Sequence, residues 1–142
     1  MEELTSPEEW RESYPVMRQL RTHLDEEAFL RLVNEMRTDS GYRLFALREE
    51  GKVVALAGVV VATNLYNGRH LFVHELVTRS DCRSRGFGER LLSSLHRWGR
   101  EQGCVRVVLS SGLARLDAHR FYEKKMGYEK VSFVFGRKLD GE

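Results

Sequence analysis

Apolar positions recur at helical spacing near the start of the chain. Ser6-Pro7-Glu8-Glu9 joins a capping serine, a proline suited to a first helical turn, and two acids facing the positive end of a helix dipole. Trp10, Tyr14, Met17, Leu20 and Leu24 follow as one stripe, with Pro15 as a point where that helix breaks or its start shifts. Asp25-Glu26-Glu27 opens a second helix with the stripe Phe29, Leu32, Val33, Met36, ending near Gly41. The period then shortens to that of strands. Residues 42–47 and 53–63 flank Glu49-Glu50-Gly51-Lys52, a hairpin with glycine at its turn. Asn67-Gly68 is a second turn, and residues 70–78 form a third strand.

Beyond Gly86, Leu91, Leu92, Leu95 and Trp98 make the stripe of an amphipathic helix stopped near Gly103. Residues 105–109 read as a short strand buried on both faces, with Cys104 at its start as a core residue. Ala118, Phe121, Tyr122 and Met126 mark a last helix closed by Gly127, and residues 130–137 read as a last strand. Antiparallel strands followed by a β-α-β-α-β half predict an α/β fold around a mixed sheet.

A chain of 142 residues has the size of one domain, expected over 1–142. Its 42% hydrophobic and 31% charged residues exclude disorder, collagen and coiled coil. The longest apolar run, 53–62, is about half of what a bilayer needs and is broken by Gly58, so no membrane partner is expected. No basic stretch followed by an apolar one opens the chain, and Cys82 and Cys104 form no C-x-x-C pair. Both readings point to a cytoplasmic location. The net charge of +2 hides an asymmetry, because arginines 79, 83, 85, 90, 97 and 100 face only Asp81 and Glu89 across 79–100. Such a block on a near-neutral chain suits a small anionic ligand; a solvated helix face is the plainer reading, and a nucleic-acid module would be more basic overall.

The richest segment runs from Leu76 to Leu92, where a strand enters a glycine-containing loop and then directly a helix. The first helical N–H groups have no partners within the helix and favour an anion, and Gly86 and Gly88 remove the Cβ atoms that would hold a phosphate away. The Gly-Lys-Ser/Thr end of a P-loop and the third glycine of a dinucleotide fold are both missing. Arg83-Ser84-Arg85-Gly86-Phe87-Gly88 resembles the Arg/Gln-x-x-Gly-x-Gly/Ala signature of the GNAT superfamily, the acyl-CoA-dependent N-acyltransferases. A second block, Ala118-His119-Arg120-Phe121-Tyr122-Glu123-Lys124-Lys125-Met126-Gly127-Tyr128, looks like the family's later helix.

The resemblance implies a mostly antiparallel central sheet flanked by helices and acetyl-CoA (coenzyme A) as cosubstrate. It implies that Leu76, Val77 and Thr78 pair with the pantetheine arm, and that Arg83, Ser84, Arg85, Gly86, Phe87, Gly88 and Glu89 surround the pyrophosphate. Tyr122 is implied to protonate the leaving thiolate. Ser80 replaces the family's common proline, and Arg115 replaces an asparagine that touches the cofactor; an arginine there suits a phosphate instead. The acceptor is expected to be a small-molecule or peptide amine, with a homodimer allowed.

An alkylammonium of pKa about 10.4 is almost wholly protonated at neutral pH, so a base or water relay helps. His74 has the parity of Phe72 and Leu76 and a suitable reference pKa; Glu75 would also attract a cationic amine. Adjacent strand residues point to opposite faces unless a bulge intervenes, so at most one of the two is expected to act directly. Their plainer readings are a sheet histidine bonded to backbone and a partner for a nearby arginine. His23 is read as an exposed helix terminus, though relatives build an acceptor wall there. Cys82 lacks the surroundings of a cysteine enzyme, Ser110 and Ser111 lack a nucleophile elbow, and the histidines give no metal site. A non-catalytic acyl-CoA sensor is the rival reading from another class.

Overall fold

The computed structural model describes residues 1–140; the last two positions of the expected domain 1–142 lie outside the described residues. The chain forms two compact units, Met1–Leu109 and Ser110–Glu142.

In the first unit, Ser6 caps α1 (Pro7–Met17) through a reciprocal box with Glu9, as the local sequence predicts. Pro15 lies inside α1, which ends two residues later, so Leu20 and Leu24 fall in the connection rather than on the stripe. Asp25 caps α2 (Glu26–Ser40), and Gly41 closes it with a φ of 70°. Five strands follow the order β1-β2-β3-β4-β5. These are β1 (Glu2–Leu4), β2 (Arg43–Glu49), β3 (Lys52–Asn64), β4 (Gly68–Thr78) and β5 (Arg106–Leu109). The first four are antiparallel and β5 joins β4 in parallel, which makes the sheet mixed and mostly antiparallel. A short 3₁₀ turn (Ser80–Cys82) and the loop to Gly86 lead into α3 (Phe87–Glu101), whose Leu91, Leu92 and Leu95 are buried. The core holds Leu4, Trp10, Met17, Phe29, Leu44 and Leu56 among others.

Three elements differ from the sequence pattern. The β1 strand is three residues long and polar at two of them, and its pairing with β2 makes it a strand. The β5 strand is only half-buried and Cys104 only partly so, because β5 is an edge strand with β4 on one side. In the second unit, residues 130–137 are not a strand. Phe133 and Phe135 stand 78% and 92% exposed, and with no ladder partner among the described residues their alternation cannot make a strand by itself. The last helix is also shorter than its stripe. It consists of α4 (Leu116–Arg120) and a wider turn over Phe121–Lys125, where Met126 N–H donates to Phe121 O and Gly127 follows the helix end at φ 75°.

Candidate acyl-transfer site

The site in the first unit starts from a shift in strand register. Gly58 of β3 opposes Glu75 of β4, but the next residue, Val59, opposes Val73, so His74 is an extra residue on β4. This bulge changes the parity argument. The His74 ring lies 4.7 Å from Phe72 and 6.1 Å from Tyr42, while Tyr42 Oη donates to Glu75 Oε1 at 2.6 Å. Both neighbours therefore reach the same buried tyrosine, which the alternation of strand faces allows only through such a bulge.

Glu75 is held from a second direction. Arg21 donates through Nε and Nη2 to Glu75 Oε2 at 3.2 and 3.1 Å, and through Nη2 to the His74 carbonyl at 2.7 Å. The plainer reading of Glu75, a partner for an arginine, thus describes its resting contacts. Gly58 makes this arrangement possible, because a Cβ at that position would overlap the Tyr42 hydroxyl and lie 2.5 Å from Glu75 Oε1. The sequence does not mark Arg21, Tyr42 or Gly58 as site residues. By pattern Tyr42 is an ordinary strand residue and Gly58 an interruption in an apolar run, and only the bulge gives either its meaning.

Burial pushes the His74 imidazole below its ordinary value; Glu75 opposes that shift and Arg21 adds to it. Burial also drives the Tyr42 phenol well above its ordinary value, and the Glu75 charge adds to the rise. A cavity of about 280 Å³ opens beside this cluster, between the α1–α2 connection and α2. Arg21, Tyr42 and Glu75 line it together with Leu24, Leu32 and Met36. His23 also lines it, from an exposed turn rather than the helix terminus expected.

Further along β4 the sheet opens. The β5 strand pairs only with residues 70–73, so among the described residues 76–78 have a strand partner, β3, on one edge alone. Their free edge is the kind of surface on which an extended amide-bearing arm forms hydrogen bonds. The loop that follows ends on Gly86, which takes φ 82° as the N-cap of α3 with no side-chain cap on the helix amides. Ser84 also adopts a positive φ, 66°. Arg83, Ser84, Arg85 and Gly86 are exposed, and Phe87 is buried. Arg85 pairs with Glu49 at 2.6 Å and lies 5.0 Å over the Phe87 ring, while Gly88 and Glu89 complete the first turn. Uncapped amides behind a basic loop suit an anionic group. Cys82 is buried beside this loop, with Arg79 Nη2 3.3 Å from its sulfur.

In the second unit, Tyr122 is buried and its ring lies 5.8 Å from that of Tyr128. Burial raises its phenol above the ordinary value, and a hydrogen bond and charge from Arg115 oppose the rise. Arg115 also donates to Ser111 Oγ at 3.4 Å. No group of three or more His, Cys, Asp or Glu arranged for a metal occurs among the described residues.

Residues 5–128 match the model of the acetyltransferase (GNAT) family. The chain belongs to that family. It is 46% identical to the uncharacterized N-acetyltransferase YhdJ of Bacillus subtilis, over 95% of each chain. It is also 32% identical to the aminoalkylphosphonate N-acetyltransferase of Salmonella typhimurium, over 84% of this chain and 78% of that one. Among solved structures, the AAC(6')-Iy complex with a bisubstrate analog, CoA-S-monomethyl-acetylneamine, superposes with a TM-score of 0.80. That match has 20% identity, over 96% of this chain and 95% of the other, and so speaks to fold alone. As a GNAT member the protein is an acyl-CoA-dependent N-acetyltransferase, and acetyl-CoA is its cosubstrate.

Proposed function

We propose that residues 1–142 act as one domain that moves an acetyl group from acetyl-CoA directly to a primary amine, in the cytoplasm. The observation that carries this reading is the course of β4. Its bulge gathers His74 and Glu75, its open edge follows at once, and its end feeds the uncapped start of α3. Acetyl-CoA supplies an activated acyl group whose thioester carbon the amine attacks as the C–S bond breaks. Leu76, Val77 and Thr78 hold the pantetheine arm by backbone pairing, and residues 83–89 hold the pyrophosphate through amides and arginines. Arg115 meets the cosubstrate from beside Tyr122.

His74 accepts the proton that the attacking nitrogen loses, a role that suits an imidazole kept neutral by burial. Glu75 steadies the cationic form of the incoming amine. Tyr122 donates its hydroxyl proton to the departing thiolate, and a phenol raised by burial stays protonated until that thiolate forms. The experiment is a thiol-release assay with acetyl-CoA across a panel of amines, run beside calorimetry with coenzyme A. Amine-dependent thiol release is expected. Tight binding of coenzyme A without thiol release for any amine would make the protein a sensor rather than a transferase.

A further inference from the structure

The cavity beside Glu75 restricts which amine can enter. Its volume of about 280 Å³ lies just below the usual range of ligand pockets, roughly 300 to 1,000 Å³. Leu24, Leu32 and Met36 give it apolar, half-buried walls, and Phe29 and Val33 close it from the core. Its charged lining residues are Arg21 and Glu75, and they already pair at 3.1 Å. The carboxylate accepts one hydrogen bond from Tyr42 and two from Arg21. A carboxylate has about four acceptor positions, so one remains for an incoming N–H.

We infer that the acceptor is a small primary monoamine with an apolar aryl or branched-alkyl body. Resting on the acetyl-transfer reading above, this assigns its nitrogen to the open position on Glu75 and its body to the Leu24–Leu32–Met36 wall. A polyamine or aminoglycoside brings several ammonium groups, and the cavity offers one carboxylate already balanced by Arg21. An aminoalkylphosphonate brings a dianion, and Arg21, the lining cation, is committed to Glu75 and the His74 carbonyl. An excess charge drawn into the cavity would lose water against its apolar wall without a partner, and one held at its open mouth would gain no contact there. Burial of the aryl or alkyl group against the same wall instead favours binding.

The test compares phenethylamine and 3-methylbutylamine with spermidine, tobramycin and 2-aminoethylphosphonate under saturating acetyl-CoA. The two apolar monoamines should have kcat/KM at least 10-fold above the other three. Leu32→Glu places an acid in the wall; it should raise KM for phenethylamine 10-fold or more and narrow the gap to spermidine. Leu32→Ala, a gentler change that guards against loss of folding, should raise the same KM several-fold and leave KM for acetyl-CoA unchanged. Preference for tobramycin, spermidine or the phosphonate, or indifference to both Leu32 variants, would overturn the inference while leaving acetyl transfer intact. Failure of coenzyme A to bind in calorimetry would instead remove the acetyl-transfer reading and this inference with it.

Discussion

Burial lifts the Tyr122 phenol while Arg115 pulls the other way, and the donor proton therefore stays on oxygen at neutral pH. Tyr122→Phe removes only that donor. With general acid catalysis as its role, kcat should fall roughly 10²- to 10⁴-fold with acetyl-CoA affinity nearly unchanged, and stability should change by about 1 kcal/mol or less. Melting temperature and kcat measured on one preparation check both; a normal rate with a lower melting temperature would make Tyr122 a structural residue. His74 is shifted in the opposite sense. Because its native value lies below 6.5, the acid limb of kcat/KM should lie below pH 6.5, and His74→Ala should remove that limb. The same shift has a stability consequence. As pH falls below 6.5 the unfolded chain takes up this proton before the native one, so stability declines with falling pH down to the native value. His74→Ala should flatten that part of a denaturation-against-pH curve. Glu75→Gln should mainly raise KM for the amine and leave coenzyme A affinity alone.

At the scale of elements, the bulge in β4 and the turn into α3 each depend on one glycine. Gly58→Ala drives a methyl into the buried Tyr42 hydroxyl and should destabilise the protein by about 3 kcal/mol, as overpacking of a rigid site does. Chemical denaturation reads this directly, and a loss below about 1 kcal/mol would mean that the bulge adjusts freely. Gly86 is different, since a Cβ there meets nothing within 4 Å and only the φ of 82° resists a side chain. Gly86→Val should therefore keep helical content yet abolish coenzyme A binding; unchanged affinity in calorimetry would remove the loop from the site. These two glycines also mark what the sequence could and could not show. Gly86 sits in a strand–loop–helix pattern that a single segment displays, as do the Ser6 and Asp25 caps. The bulge at His74 arises from two strands pairing out of step, and no periodicity within either strand records it. The Arg21–Glu75–Tyr42 cluster was hidden for the same reason: its members are 21 to 54 residues apart in the chain and meet only through the fold. The expected strand at 130–137 shows the converse, since alternation there satisfies the pattern but finds no ladder partner among the described residues.

For the whole molecule, a net charge of +2 conceals an arginine block of which the fold places Arg79, Arg83, Arg85 and Arg90 around the start of α3, with Arg97 and Arg100 in its last turns. Coenzyme A affinity should accordingly fall as salt rises from low to physiological ionic strength and beyond, because exposed ion pairs are screened over about 10 Å at 0.1 M. In direct transfer one acetyl group passes straight from the thioester to an amine, with no acyl group resting on the protein. A quenched single-turnover reaction followed by mass spectrometry distinguishes this from a relay through the protein. With acetyl-CoA and phenethylamine together, free coenzyme A and N-acetylphenethylamine should appear in equal amounts at every time point, and the protein should keep its unmodified mass. An acetylated protein that forms before the product, or thiol released with no N-acetylated amine, would contradict it.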